Sequence, residues 1–264
     1  MGFLDKFKKE QLGNKAYRLH VAALQLRRQG KYAEAQTRLD EAFKLYGEAY
    51  EQGGLKASAL LAYGILTMQR GDPERARELM LECSKDKTMS QEDRLTLRIN
   101  YSVCQWKLGN LDKAIETIRT AGHNKTNGTI YTTLGMFLVD KARETGEFEE
   151  AMAYIQEAME YDDEDAATLD NLAMLYLTMS DKAKADGDTD AAAGNREKAY
   201  EYFKKAHKEK AEQITSAYYL ALLEHEKGNN EKAAKILDDI MKVPSSALCP
   251  VTREDLKELR AKIG

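Results

Sequence analysis

The stretch from Leu134 to Ala158, LGMFLVDKARETGEFEEAMAYIQEA, restricts the fold more than any other part of the chain. Leu134 and Gly135 open a helical apolar stripe, Gly146 and Phe148 interrupt it, and Ala151, Ile155 and Ala158 resume it. Large and small apolar residues thus alternate on one face, break at a glycine turn, and start again. Two helices can approach closely only where side chains are short, and the alanines and glycine supply those positions. One such pair leaves apolar surface uncovered, so it implies neighbours stacked on both sides.

Worn copies of the pattern run from end to end. The first has Leu19, Ala23 and Leu26, a turn at Gly30, then Tyr32, Ala35, Leu39 and Ala42, with its second helix continuing to Glu51 before Gly53 and Gly54. The second has Leu60, Tyr63 and Gly64, a turn at Gly71, then Ala76, Met80 and Cys83. Pro73 suits the first turn of a helix, where its missing N–H costs nothing. The third has Tyr101 and Ser102, a turn at Gly109, then Ala114, Ile118 and Ala121, and the stretch from Gly122 to Asn127 is the most loop-like of the chain.

In the fourth copy Gly146 follows Gly135 by eleven residues, against seven from Gly64 to Gly71, a difference of one helical turn. The fifth opens with Leu169, Leu172, Ala173 and Tyr176 and closes with Ala199, Phe203 and Ala206. With Gly187 as its turn, both helices are two turns longer than in the second copy. The sixth has Leu220, Ala221, Gly228, Ala233, Leu237 and Ile240. Pro244 then stops the helix, Pro250 follows a short loop, and Thr252 caps a last helix carrying Leu256, Leu259 and Ile263.

These residues resemble the tetratricopeptide repeat, a helix–turn–helix unit with a period of roughly 34 residues. The resemblance implies an all-α fold: a right-handed α-solenoid of about six such repeats with a C-terminal capping helix. The expected segments are an N-terminal amphipathic segment at 1–14, the solenoid at 15–246, and the capping helix at 247–264. The third repeat departs from the family pattern by carrying Arg98 where a large apolar residue is usual.

Composition narrows the function classes. Three prolines and 43% apolar residues fit a helical chain with a continuous core. A net charge of −4 argues against a broad nucleic-acid surface, which needs a basic stripe. No apolar run reaches the roughly 20 residues of a membrane span. The start MGFLDKFKKE lacks a secretory apolar stretch, and three scattered cysteines suit a reducing, cytoplasmic setting. The sequons at Asn124 and Asn127 are then expected to be unused. Within residues 3–12, Phe3, Leu4 and Phe7 share a helical face beside Lys6, Lys8 and Lys9. That face reads either as a helix covering the open end of the first repeat or as a membrane-surface anchor.

Motifs for chemistry are sparse. Asp186, Asp188, Asp190 and Glu197 match acidic positions of a calcium loop, but Ala191 occupies the place of its essential glycine. The plainer reading is a glycine turn with carboxylates favouring the next helix N-terminus. The run Asp162 to Asp165 reads as an inter-repeat cap. His20, His123, His207 and His225 show no metal spacing. Cys83 and Cys104 fall on packing positions, and Cys249 is the candidate exposed thiol. The chain is not expected to be an enzyme, and no metal or cofactor is expected.

In the resembled family the first helix of each repeat lines a concave groove for an extended peptide or partner helix. Aligning the turn glycines assigns Tyr17, His20 and Leu24 to it from the first repeat, and Leu61 and Ile65 from the second. Asn100, Val103 and Trp106 follow from the third, Thr133 and Met136 from the fourth, Asn171 and Met174 from the fifth, and Tyr218, Tyr219 and Leu222 from the sixth. The resemblance implies that Asn100 and Asn171 hold peptide backbone, a role suited to side-chain amides. The family's clamp for a terminal carboxylate is absent, since its positions hold His20, Leu24, Ala62, Thr96 and Asn100. The expected function is a protein-binding scaffold, its partner a protein or extended peptide rather than nucleic acid or membrane. The alternatives are a membrane-peripheral scaffold docked through the N-terminal segment, and a self-assembling homo-oligomer.

Overall fold

The computed structural model describes residues 3–122, 127–244 and 249–264, with residues 3–9 described as helical backbone only. Among the described residues there are thirteen helices and no strand. They are α1 (Phe3–Arg28), α2 (Tyr32–Glu51), α3 (Ala57–Gln69), α4 (Pro73–Cys83), α5 (Gln91–Lys107), α6 (Leu111–Gly122) and α7 (Gly128–Thr145). α8 (Glu149–Tyr161), α9 (Ala166–Ala185), α10 (Thr189–Glu209), α11 (Ile214–Glu226), α12 (Asn230–Ile240) and α13 (Arg253–Ile263) complete the set. The fold is the all-α, repeat-built kind that the glycine and alanine spacing predicts. Two compact units divide within α6, at Thr117 and Ile118.

In the first unit α1 packs on α2 and α3 on α4 as hairpins, while α1 also packs on α3 and α3 on α5. First helices therefore form one layer and second helices another. Its core alternates Ala16, Ala23, Ala35 and Ala42, all fully buried, with Leu39, Tyr46 and Leu66. In the second unit α7, α9 and α11 pack on α8, α10 and α12 respectively, α7 also packs on α9, and α13 covers α11 and α12. Leu256, Leu259 and Ile263 of α13 are buried there with Leu237 and Ile240.

All six turn glycines adopt positive φ, between 71° at Gly30 and 90° at Gly71. At Gly30 the amides of Gly30 and Lys31 donate to the carbonyls of Arg27 and Leu26, closing the first helix with the bonds that a left-handed residue permits. Asp72 and Asp188 then start the following helices by accepting from the amides of Arg75 and Ala191. The fifth hairpin is lengthened on both sides, with 20 residues in α9 and 21 in α10 against 13 and 11 in α3 and α4. Ser180 Oγ donates to the Ala192 carbonyl at 2.7 Å and ties the extended ends together.

Residues 3–12 form the start of α1, which runs unbroken for 26 residues from Phe3 to Arg28. Gly13 does not interrupt it but lets it pass the α2–α3 loop. A Cβ there would meet Leu55 Cδ2 at 2.9 Å and the Gly54 carbonyl at 3.0 Å. His123 and the sequon at Asn124 lie outside the described residues. Asn127 caps α7 by accepting from the Thr129 amide.

Candidate functional site

The layer of first helices in each unit contains the residues expected to meet a partner. In the first unit the turn glycines Gly30, Gly71 and Gly109 bring Tyr17, Ser58 and Thr96 into one register row. Val21, Ala62 and Asn100 form the next, then Leu24, Ile65 and Val103, and finally Arg28, Gln69 and Lys107. On α1, Tyr17, Val21 and Leu24 are 43%, 38% and 44% exposed. They stand one helical turn apart, as one continuous apolar stripe. Ile65 of α3 is half-buried, and Trp106 of α5 is half-buried beneath the Lys107 ammonium, 5.1 Å from its ring centre.

Carboxylates in this unit are concentrated on the second helices. Residues 11–31, 55–71 and 94–111, which include most of α1, all of α3 and most of α5, contain no aspartate or glutamate. They carry Lys15, Arg18, Arg27, Arg28, Lys31, Lys56, Arg70, Arg94, Arg98 and Lys107. The carboxylates Asp40, Glu41, Glu48, Glu74, Glu78 and Glu82 lie on the second helices α2 and α4. Some first-layer cations are spent on them or on the α1 start: Lys15 pairs with Glu41, Lys56 with Glu10, and Arg70 with Asp40. Arg18 and Arg28 remain exposed on α1.

Other assigned residues are buried or bonded within the unit. His20 is buried, with Nδ1 3.5 Å from Tyr46 Oη between α1 and α2, and burial followed by the nearby Arg27 charge lowers its pKa. Leu61 and Val103 are 3% and 2% exposed and pack within the layer. The Asn100 amide donates to the Thr96 carbonyl of its own helix at 2.9 Å. The exposed stripe includes Val21, which the family alignment did not assign. Its position four residues after Tyr17 marks it, whereas His20 falls on the face turned to α2.

In the second unit Thr133 is fully buried and Asn171 is 8% exposed. Asn171 Nδ2 donates to the Thr132 carbonyl at 2.8 Å, so its amide ties α9 to α7 rather than standing open for a peptide. Met136, Met174 and Leu222 are half-buried. Tyr219 stacks on Phe203 with ring centres 5.3 Å apart, and Tyr218 meets Tyr219 edge-on at 5.0 Å. Beside them Asp170 is buried and accepts from Ser216 Oγ at 2.7 Å; burial pushes its pKa up to about 7. This inner layer is an aromatic and hydrogen-bonded interior more than an open face.

The acidic motifs are used locally. Asp165 caps α9, Asp162 accepts from the Glu164 amide, and Asp186 pairs with Lys182. Glu197 pairs with Lys227 at 2.9 Å, and the stretch after Asp188 is helical rather than a loop. Among the described residues no helix is long and apolar enough to cross a membrane.

A sequence model described as Tetratricopeptide repeat matches residues 20–83, from α1 to the end of α4. Among solved structures, the chain is similar to a thermophilic TPR protein from Thermus thermophilus, with a TM-score of 0.56 and 18% identity over 79% of this chain and 98% of that one. It is also similar to a chain of the APC/C hetero-tetramer Cut9–Hcn1, with a TM-score of 0.52 and 12% identity over 97% of this chain and 47% of that one. A monomeric IFIT1 mutant with Gppp-AAAA gives a TM-score of 0.50 and 14% identity over 90% of this chain and 61% of that one. At these identities the likeness is one of fold. No curated protein sequence matches the chain.

Proposed function

We propose that the chain, whose residues 20–83 match a tetratricopeptide repeat model and whose fold is that of such repeat proteins, uses the first-helix layer of its first unit to hold an extended partner segment combining apolar side chains with carboxylates. Repeat folds of this kind serve as scaffolds for protein–protein interaction, and the reading names the face and the chemistry. One observation carries it: the exposed stripe Tyr17, Val21 and Leu24 lies within residues 11–31, which contain no carboxylate and carry Lys15, Arg18, Arg27, Arg28 and Lys31. The stripe offers apolar contact area, while Arg18 and Arg28 beside it favour acidic groups and disfavour basic ones. Packed helices hold these side chains in place beforehand, so ordering cost falls mainly on the ligand. Binding, without chemistry on the partner, is the proposed role.

Selection of displayed random peptides, about a dozen residues long, against the full chain tests this. Enriched sequences should combine aromatic or aliphatic residues with aspartate or glutamate, and their affinity should fall as salt rises. Enrichment of basic peptides, or recovery of none above background, contradicts the reading.

A further inference from the structure

The two junctions between successive repeats in the first unit are filled differently. Where α2 meets α3, Tyr63 lies among three rings, with centres 5.4 Å from Phe43, 5.7 Å from Tyr46 and 6.2 Å from Tyr50. Leu60, one turn earlier on α3, is 7% exposed and packs into the same layer. Where α4 meets α5, the turn glycines put Tyr101 in the place of Tyr63, Ser84 in that of Phe43, and Arg98 in that of Leu60. α4 also has only 11 residues against 20 in α2, so no later turn of helix covers the gap.

The result is a half-open cleft of about 320 Å³ lined by Met80, Leu81, Ser84, Arg94, Leu97, Arg98 and Tyr101. That volume is within the range of small-ligand sites. Leu81 at its rim is 45% exposed, a large apolar group with no cover. Two arginines reach the cleft and they are not equivalent. Arg94 donates to the Asp86 and Lys87 carbonyls at 3.1 Å each, so it is committed to closing the α4–α5 loop. Arg98 is exposed and enters no ion pair or hydrogen bond among the described residues.

We propose that this cleft binds a small aromatic carboxylate, its ring in the space that Phe43 fills at the preceding junction and its carboxylate on the Arg98 guanidinium. The ring packs on Tyr101, Met80 and Leu97 as Phe43 packs on Tyr63, and offset or edge contact with Tyr101 adds to its burial. The planar guanidinium meets a carboxylate through two parallel N–H bonds, which selects acids over neutral analogues. The site lies between α4 and α5 and does not use the stripe on α1, so it stands or falls separately from the peptide-binding role.

Saturation-transfer NMR and calorimetric titration of the full chain with 3-phenylpropionate test it. The acid should bind at millimolar concentration, and 3-phenylpropanamide should bind at least about tenfold more weakly. Arg98→Gln, an exposed change that leaves packing intact, should cost the acid about tenfold and the amide nothing. Ser84→Phe should fill the cleft and abolish binding of both while the melting temperature holds or rises. No saturation transfer to the acid overturns the proposal, as do equal affinities for acid and amide or unchanged affinity in Arg98→Gln. A response restricted to peptides ending in phenylalanine, with none to the free acid, would assign the cleft to a protein partner and overturn it as stated.

Discussion

Ser216 Oγ of α11 donates to Asp170 Oδ1 of α9 at 2.7 Å, joining the first helices of two successive repeats through a buried carboxyl group. Burial raises the Asp170 pKa to about 7, and the bonds from Ser216 and Gln213 only partly oppose the rise. The folded protein therefore holds this proton more tightly than the unfolded chain does. Its stabilising contribution is fully present below the unfolded pKa of 3.8 and is lost as pH rises to about 7. Asp170→Asn keeps an acceptor for Ser216 and removes the charge. It should be more stable than wild type at pH 8, by at most about 4 kcal/mol, and the gap should close by about pH 4. A gap independent of pH contradicts the assignment.

Gly135 and Gly64 occupy equivalent places in their repeats but are not equally replaceable. A Cβ on Gly135 would lie 2.8 Å from Asn171 Nδ2, which cannot retreat without breaking its bond to the Thr132 carbonyl. On Gly64 the nearest atom is Met80 Cγ at 3.4 Å, the flexible part of a long side chain. Gly135→Ala should cost about 1–3 kcal/mol, whereas Gly64→Ala should stay within about 1 kcal/mol of wild type because alanine favours the helix. Asn171→Ala should cost about 1–2 kcal/mol for the lost buried bond. The double variant Gly135→Ala with Asn171→Ala should be less destabilised than the sum of its parts. Urea titrations measure all four.

The three cysteines are free thiols, and their environments separate them. Cys83 donates to the Ala57 carbonyl at 3.2 Å and Cys104 to the Pro73 carbonyl at 3.0 Å. Burial pushes both thiols up to about 11, leaving little thiolate at pH 8. Cys249 is only half-buried. A colorimetric disulfide reagent at pH 8 should modify one thiol per native chain quickly and the other two only on unfolding. Rapid reaction of all three would contradict the packing of α4 and α5.

The repeat frame was legible because its signals are local. A glycine that must take positive φ, an aspartate that must cap, and alternating large and small residues each act within a few positions, so all six turns and the lengthened fifth hairpin were visible in the sequence. Tyr17 and Leu24, assigned to the groove by alignment on the turn glycines, are exposed. What the sequence hid depends on distant partners. Asn171 reads as an available amide until a carbonyl 39 residues away takes it. His20 reads as a groove residue until Tyr46 closes over it. The departure at Arg98 was plain from spacing, but the cleft beside it needs two more facts, the early end of α4 and the serine at Ser84.

The role of the α1 stripe is tested most directly by the affinity of the best selected peptide for wild type and for Leu24→Asp, measured by fluorescence anisotropy. Leu24 is 44% exposed, so the variant should fold and melt as wild type does while placing one negative charge on the stripe. The account predicts at least about tenfold weaker binding, from lost apolar contact and repulsion of the peptide's carboxylates. Equal affinity for the two proteins would place the peptide elsewhere and contradict it.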